Sequence, residues 1–175
     1  MGASYYVAVR QACWPTIDAL NECLADLHYP VRLPKTLNAM ETPVAESDGS
    51  LIVEFEGKPI HLEAEITRLS INEPFAYDLR IENDRTFDPT DVADLVPLDL
   101  NAELAKLGVI APNFEYGDYV LALTFRSSID EWKAGFLLMS GLIRYADGLG
   151  FEFDEAIFGD TSFANKLVRE AAEME

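Results

Sequence analysis

The chain has 175 residues, 49% of them hydrophobic and 25% charged, so it is long enough to bury a core without disulfide or metal support. Its 31 acidic residues outnumber 13 basic ones, which gives a formal net charge of −18 at pH 7. This excess argues against nucleic acid or an anionic membrane surface as a ligand, because binding either requires clustered basic side chains. The acidity would steer a basic partner towards the protein, or it serves only to keep the protein in solution.

The compartment is predicted from the N-terminus and the cysteines. The first residues have neither the basic nor the apolar region of a signal peptide, and no apolar run approaches the length of a membrane span. Cys13 and Cys23 are consistent with two free thiols in a reducing compartment, although a bridge between them stays open. We therefore expect a cytoplasmic protein.

The first elements along the chain are a strand and a helix. Residues 5–9 are aromatic and β-branched, which favours a short strand. Pro15 suits the first position of a helix with an apolar face, and Tyr29-Pro30 ends that helix. Trp14, just before it, is expected to pack rather than to stand exposed. Residues 30–49 predict an irregular connection that hides at most a short element.

The clearest pattern is the alternation of apolar and polar residues between positions 51 and 66. A two-residue turn at Gly57-Lys58 predicts a hairpin with its apolar side chains on one face. Its cross-strand pairs are then Phe55 with Ile60, Val53 with Leu62, and Leu51 with Ala64. The other face carries the polar set, which comprises Glu54, Glu56, His61, Glu63 and Glu65, with Glu54 opposite His61.

The second half predicts further strands and three helices. Residues 77–82 alternate as a third strand, and Asp88 marks a helix start. The next predictions are a helix over 100–107 closed by Gly108, a strand over 119–126, and a helix from the Ser128 capping box to Gly148. A short strand over 151–158 and a helix capped by Asp160 or Thr161 follow. Together they indicate an α+β fold in one globular domain, 1–175: an antiparallel sheet (a central meander of about 50–82 plus strand 119–126) packed by two or three helices.

The sequence contains no familiar catalytic motif. Its two histidines are His28, which falls near a predicted helix C-terminus where a cation is favoured, and His61 on the hairpin. We therefore expect that the protein is not an enzyme and has no catalytic residue and no cofactor. The alternative is a metal- or carboxylate-dependent enzyme centred on His61 with Glu54, Glu63 and Glu65.

A family resemblance points in the same direction as the charge. The stretch that carries it begins with residues 119–126 and continues through the capped helix to Gly148 and the segment 150–154, roughly a quarter of the chain. This stretch resembles the immunity proteins of bacterial polymorphic-toxin and contact-dependent-inhibition systems. The resemblance implies a small acidic α+β protein that neutralises a toxin, and it assigns no role to individual residues.

The function expected from these observations is therefore an acidic protein-binding module that inhibits a basic partner. The alternatives are the enzyme above and a structural subunit of an assembly. The expected contact residues form two patches: Glu54, Glu56, Glu63 and Glu65 on the hairpin, and Asp84, Asp88, Asp91 and Asp94 beyond it.

Overall fold

The protein folds as a seven-stranded antiparallel sheet with four helices, in a computed structural model that describes residues 2–34, 50–69, 97–126 and 128–175. The spatial order of the strands is β2-β3-β4-β5-β1-β6-β7. The strands are β1 (Ala3–Val9), β2 (Val31–Arg32), β3 (Ser50–Phe55), β4 (Lys58–Arg68), β5 (Tyr119–Phe125), β6 (Leu149–Glu152) and β7 (Ile157–Gly159). The helices are α1 (Ile17–Asp26), α2 (Pro97–Leu107), α3 (Ile129–Ala146) and α4 (Thr161–Glu173), with a 3-10 turn at Gln11–Cys13. This confirms the predicted α+β class.

The main core lies between one face of the sheet, here called the inner face, and three helices. Alternate residues of β1, β3, β4 and β5 point inward because side chains along a strand alternate between its two faces. Helix α3 packs between this face and helices α1 and α4, so every residue from Ala134 to Ile143 is buried. Only a helix surrounded on all sides can be apolar on all sides, which explains why its sequence shows little polar surface in this stretch.

A second, smaller core lies on the opposite, outer face of the sheet. There Leu100 and Leu104 of α2 pack on Ala8 of β1 and Val120 of β5, together with Phe151 of β6. Strand β5 is therefore covered on both faces, as its apolar sequence predicts. Helix α2 covers the end of the outer face where β5 begins, and the acidic hairpin residues lie away from that end.

The hairpin of β3 and β4 is confirmed, but its predicted register is wrong by two residues. Val53 pairs with Ile60 and Leu51 with Leu62, so the turn residues are Glu56 and Gly57. Both have positive φ, at 51° and 79°, which is the conformation of a type I′ turn. The reason lies in Pro59: the predicted turn would place it at the hydrogen-bonded closing pair, where its missing N–H is needed. An even shift preserves the faces of the strand residues, so Glu54, His61, Glu63 and Glu65 stay on the outer face, whereas Glu56 lies in the turn instead.

The helix ends show two smaller corrections. Helix α1 begins at Ile17, because Thr16 is the N-cap and its Oγ1 accepts a hydrogen bond from the Ala19 N–H at 3.1 Å, so Pro15 lies just before the cap. Helix α3 begins after Ser128 as predicted, but it ends at Asp147 in the left-handed conformation rather than at Gly148.

Several other predictions can be compared with the described residues. The element hidden after Pro30 is β2, and the segment predicted as one short strand after α3 is the hairpin of β6 and β7. The observed neighbour of β4 on the side away from β3 is β5. In a meander, residues 77–82 would be the next neighbour of β4. The predicted strand over 77–82 and the helix start at Asp88 lie outside the described residues. Within those that are described, no helix is both long and apolar enough to cross a membrane.

Candidate functional site

One row of residues crosses most of the outer face and joins the acidic hairpin to the far edge of the sheet. Strand pairing aligns Glu65 of β4 with Ala122, Ala122 with Tyr6, Tyr6 with Phe151, and Phe151 with Phe158 of β7. Adjacent strands lie about 4.8 Å apart, so this cross-sheet row spans about 19 Å. The row changes from a carboxylate at one end to aromatic rings at the other, which makes it the most chemically distinctive part of the described surface.

The acidic end of the outer face contains the glutamates predicted from the sequence. Two of them are engaged within the chain: Glu63 accepts two hydrogen bonds from Arg126, at 2.8 and 3.1 Å, and Glu54 lies 3.5 Å from Arg32. The bond to Glu63 raises the pKa of the Arg126 guanidinium, as expected when a carboxylate stabilises the charged form. Glu65 is exposed beside Thr67, whose hydroxyl donates to it at 3.4 Å. Glu56 is exposed in the turn itself.

The arrangement around His61 differs from the one predicted. His61 is opposite Ile52, and Glu54 is opposite Pro59, because the register is shifted. His61, Glu63 and Glu65 do share the outer face, where all three are exposed. Among the residues whose placement is described, however, no group of three or more His, Cys, Asp and Glu side chains could hold a metal ion. The other histidine, His28, lies at the C-terminal end of α1 with a φ of 61°.

The opposite end of the row is here called the aromatic cluster: the rings of Tyr6, Phe151 and Phe153 are in contact, and Phe158 is the strand neighbour of Phe151. The Tyr6 ring stacks on Phe151 with centroids 5.1 Å apart, and Phe153 meets both rings edge-on at 5.3 and 5.5 Å. Phe151 is buried beneath α2, whereas Phe153 and Phe158 are each 40% exposed. An exposed set of phenylalanines on a buried aromatic base is the composition found at the centre of protein interfaces.

A buried carboxylate holds the turn that presents Phe153. Glu152 is only 3% exposed, and its two oxygens accept hydrogen bonds from the N–H groups of Asp154 and Glu155 at 2.7 and 2.8 Å. Ala156 closes the turn with a φ of 56°. The side chain thus holds the backbone within the turn, and the exposed Asp154 and Glu155 stay next to the aromatic cluster.

Several carboxylates act on Tyr6 in the aromatic cluster. Partial burial raises the pKa of Tyr6, and the nearby charges of Glu65, Asp154 and Glu152 raise it further, while a hydrogen bond from Ser4 acts in the opposite direction. Carboxylates from both ends of the row therefore act on the same phenol. A cation placed over these rings would be attracted by the same field.

The aromatic cluster was missed by the sequence analysis, which treated 151–158 as one strand. The alternation of Phe151 and Phe153 placed both on one face, but nothing local showed that β6 and β7 would lie beside β1. Trp14, in contrast, packs as predicted, stacking on Tyr119 with centroids 4.5 Å apart. The second predicted patch, Asp84, Asp88, Asp91 and Asp94, lies outside the described residues.

Comparison with known proteins identifies no relative: no family model matches the chain, and neither a curated protein nor a solved structure matches it.

Proposed function

We propose that this protein binds a basic protein through the outer face of its sheet and thereby inhibits it. The observation that carries the proposal is the cross-sheet row, in which the exposed carboxylate of Glu65 and the exposed rings of the aromatic cluster belong to one surface. The net charge of −18 supports a basic partner. Nucleic acids are disfavoured by the same charge.

The two ends of the row suit different parts of one binding event. Exposed carboxylates attract an oppositely charged partner over several ångströms and so mainly accelerate association. Desolvated aromatic side chains supply most of the affinity in protein interfaces and so mainly slow dissociation. A surface that carries both beside each other can capture a basic partner quickly and retain it.

The resemblance of residues 119–126 and the following segments to immunity proteins supports a particular version of this function. Two of those segments form β5 and part of the β6–β7 hairpin, which contribute to the cross-sheet row. The partner would then be a toxin whose basic active site normally binds a polyanion, and the acidic surface would occupy that site.

The test is to identify and measure the partner. The immobilised protein is exposed to lysate of the cells in which it occurs, eluted with increasing salt, and the purified partner is then studied by surface plasmon resonance. We expect a basic protein whose association rate falls as salt rises. The double substitution Glu63→Gln and Glu65→Gln should lower that rate by about threefold to tenfold, because it removes steering charge at the interface.

A matched control removes the same charge elsewhere. Glu22→Gln with Asp26→Asn neutralises two exposed carboxylates of α1, which packs on the inner face. This variant should bind with nearly the wild-type rate. Equal effects of the two variants would contradict the outer face as the binding surface. A partner bound independently of salt through apolar contacts would favour the alternative of a subunit in an assembly.

A further inference from the structure

The exposed rings of the aromatic cluster are set among carboxylates. Phe153 is followed directly by Asp154 and Glu155, both exposed, and Glu65 is aligned with Tyr6 two strands away, at about 10 Å. A planar cation lying over these rings would therefore have a carboxylate within reach on either side. A purely apolar side chain in the same place would leave those charges partly desolvated without compensation.

We propose that the aromatic cluster receives an arginine-bearing segment of the basic partner, an inference that rests on the proposed function and names its anchor. Arginine is favoured over lysine because the guanidinium group is planar, stacks on aromatic faces and binds carboxylates with two hydrogen bonds. It is also more weakly hydrated than an ammonium group, so it loses less hydration free energy when it contacts an aromatic surface.

The chain's own arginines already use both kinds of contact. Arg10 lies over the Phe114 ring at 4.3 Å from its centroid and, at the same time, 3.4 Å from the carboxylate of Asp118. Arg126 makes the two-bond contact with Glu63 on the outer face. A ring with a carboxylate beside it is therefore an arginine site elsewhere in this molecule, and the aromatic cluster repeats that combination on the surface.

The charge also selects among the alternative occupants of this surface. A second copy of the chain would bring Asp154, Glu155 and Glu65 against the same residues of its partner, between molecules that each carry −18. Like charges placed together in an interface oppose association. The charge thus disfavours self-association and favours a cationic occupant.

The experiment uses two defined probes, a capped hexa-arginine peptide and a capped hexalysine peptide. The full-length ¹⁵N-labelled protein is titrated with each, and amide chemical shifts are followed. We expect the shifts caused by the arginine peptide to concentrate at residues 5–7, 150–154 and 157–159, and its binding to be at least about threefold tighter than that of the lysine peptide. Shifts spread evenly over the acidic surface, or equal binding of both peptides, would overturn the proposal.

Conservative variants separate stacking from simple apolar contact. Phe153→Leu with Phe158→Leu keeps apolar bulk but removes two exposed ring faces, and should weaken arginine-peptide binding by about threefold to tenfold. The control, Tyr145→Leu, removes a ring that is 45% exposed on α3 and should leave binding unchanged. Wild-type binding by the double variant would refute the anchor, as would concentration-dependent dimerisation of the free protein through these residues in sedimentation experiments.

The two proposals can fail separately. If neutralising Glu63 and Glu65 slows association of the natural partner but the double leucine variant binds that partner normally, the proposed function stands and the arginine anchor is wrong. If the arginine peptide binds at the aromatic cluster but the cells contain no basic partner, the anchor is supported and the proposed inhibitory function fails.

Discussion

Gly135 on α3 offers the sharpest test of how the inner core is packed. Replacing a helical glycine by alanine ordinarily stabilises a protein by about 1 kcal/mol, because alanine loses less backbone entropy. Here, a Cβ atom on Gly135 would lie 2.2 Å from Cε1 and 2.5 Å from Cζ of the Phe125 ring. That is roughly 1.3 Å closer than the shortest favourable carbon–carbon separation of about 3.5 Å. We therefore expect Gly135→Ala to destabilise the protein.

The ring cannot easily move out of the way. Phe125 is 1% exposed, stacks on Trp132 with centroids 4.7 Å apart, and meets Tyr5 and Phe136 edge-on. Overpacking a well-packed core by one methyl group costs about 1 to 3 kcal/mol. After subtraction of the propensity gain of about 1 kcal/mol, the expected net loss is roughly 1 kcal/mol, within a range of about 0 to 2 kcal/mol.

Urea denaturation followed by tryptophan fluorescence measures this loss. With an m-value of roughly 2 kcal/mol per molar urea, the midpoint should fall by about 0.5 M. In a Phe125→Leu background the steric conflict is removed, so Gly135→Ala should become neutral or stabilising by up to about 1 kcal/mol. A midpoint that rises in the wild-type background would refute the reasoning, because it would show that the helix and the sheet separate without cost.

Two further predictions concern ionisable groups. Burial, and to a smaller extent the charge of Glu170, raises the pKa of Tyr5 from 10.0 to about 12, so the folded state gains stability from the neutral phenol below pH 10 and loses it as the pH rises from 10 to 12. In denaturation experiments across that interval, the stability of Tyr5→Phe should therefore depend less on pH than that of the wild type. Equal dependence on pH would contradict the buried phenol. Glu152→Gln should lower the free energy of unfolding by about 1 to 3 kcal/mol and speed hydrogen exchange at the Asp154 and Glu155 amides. The reason is that an amide side chain has a single acceptor oxygen for two N–H donors. Unchanged exchange would show that the turn does not depend on the carboxylate.

Local patterns were sufficient for most of the described elements. Alternation located β3 and β4, and the spacing of apolar residues located α1, α3 and α4, because the period of each pattern follows directly from strand or helix geometry. Strand β5 was located by a run that is apolar on both faces, which is typical of a strand covered on both sides. The misplaced turn was also predictable in principle, since Pro59 cannot donate the hydrogen bond that the expected register requires.

The candidate site could be predicted from the sequence only in part. The acidic side of the outer face was identified because its glutamates alternate along one strand, where neighbours in sequence are neighbours in space. The ion pairs of Glu63 with Arg126 and of Glu54 with Arg32 were not identified from the sequence, because each joins residues that are far apart along the chain.

By itself, the sequence determined the charge, the class of fold and the face to which each hairpin residue points, all of which depend on composition or on contacts within a few residues. Only the tertiary structure decided that β1 lies between β5 and β6, and hence that Glu65, Tyr6 and Phe158 share one row. Strand order depends on how α3 and its neighbouring helices pack against the whole inner face, and that packing free energy belongs to no single segment.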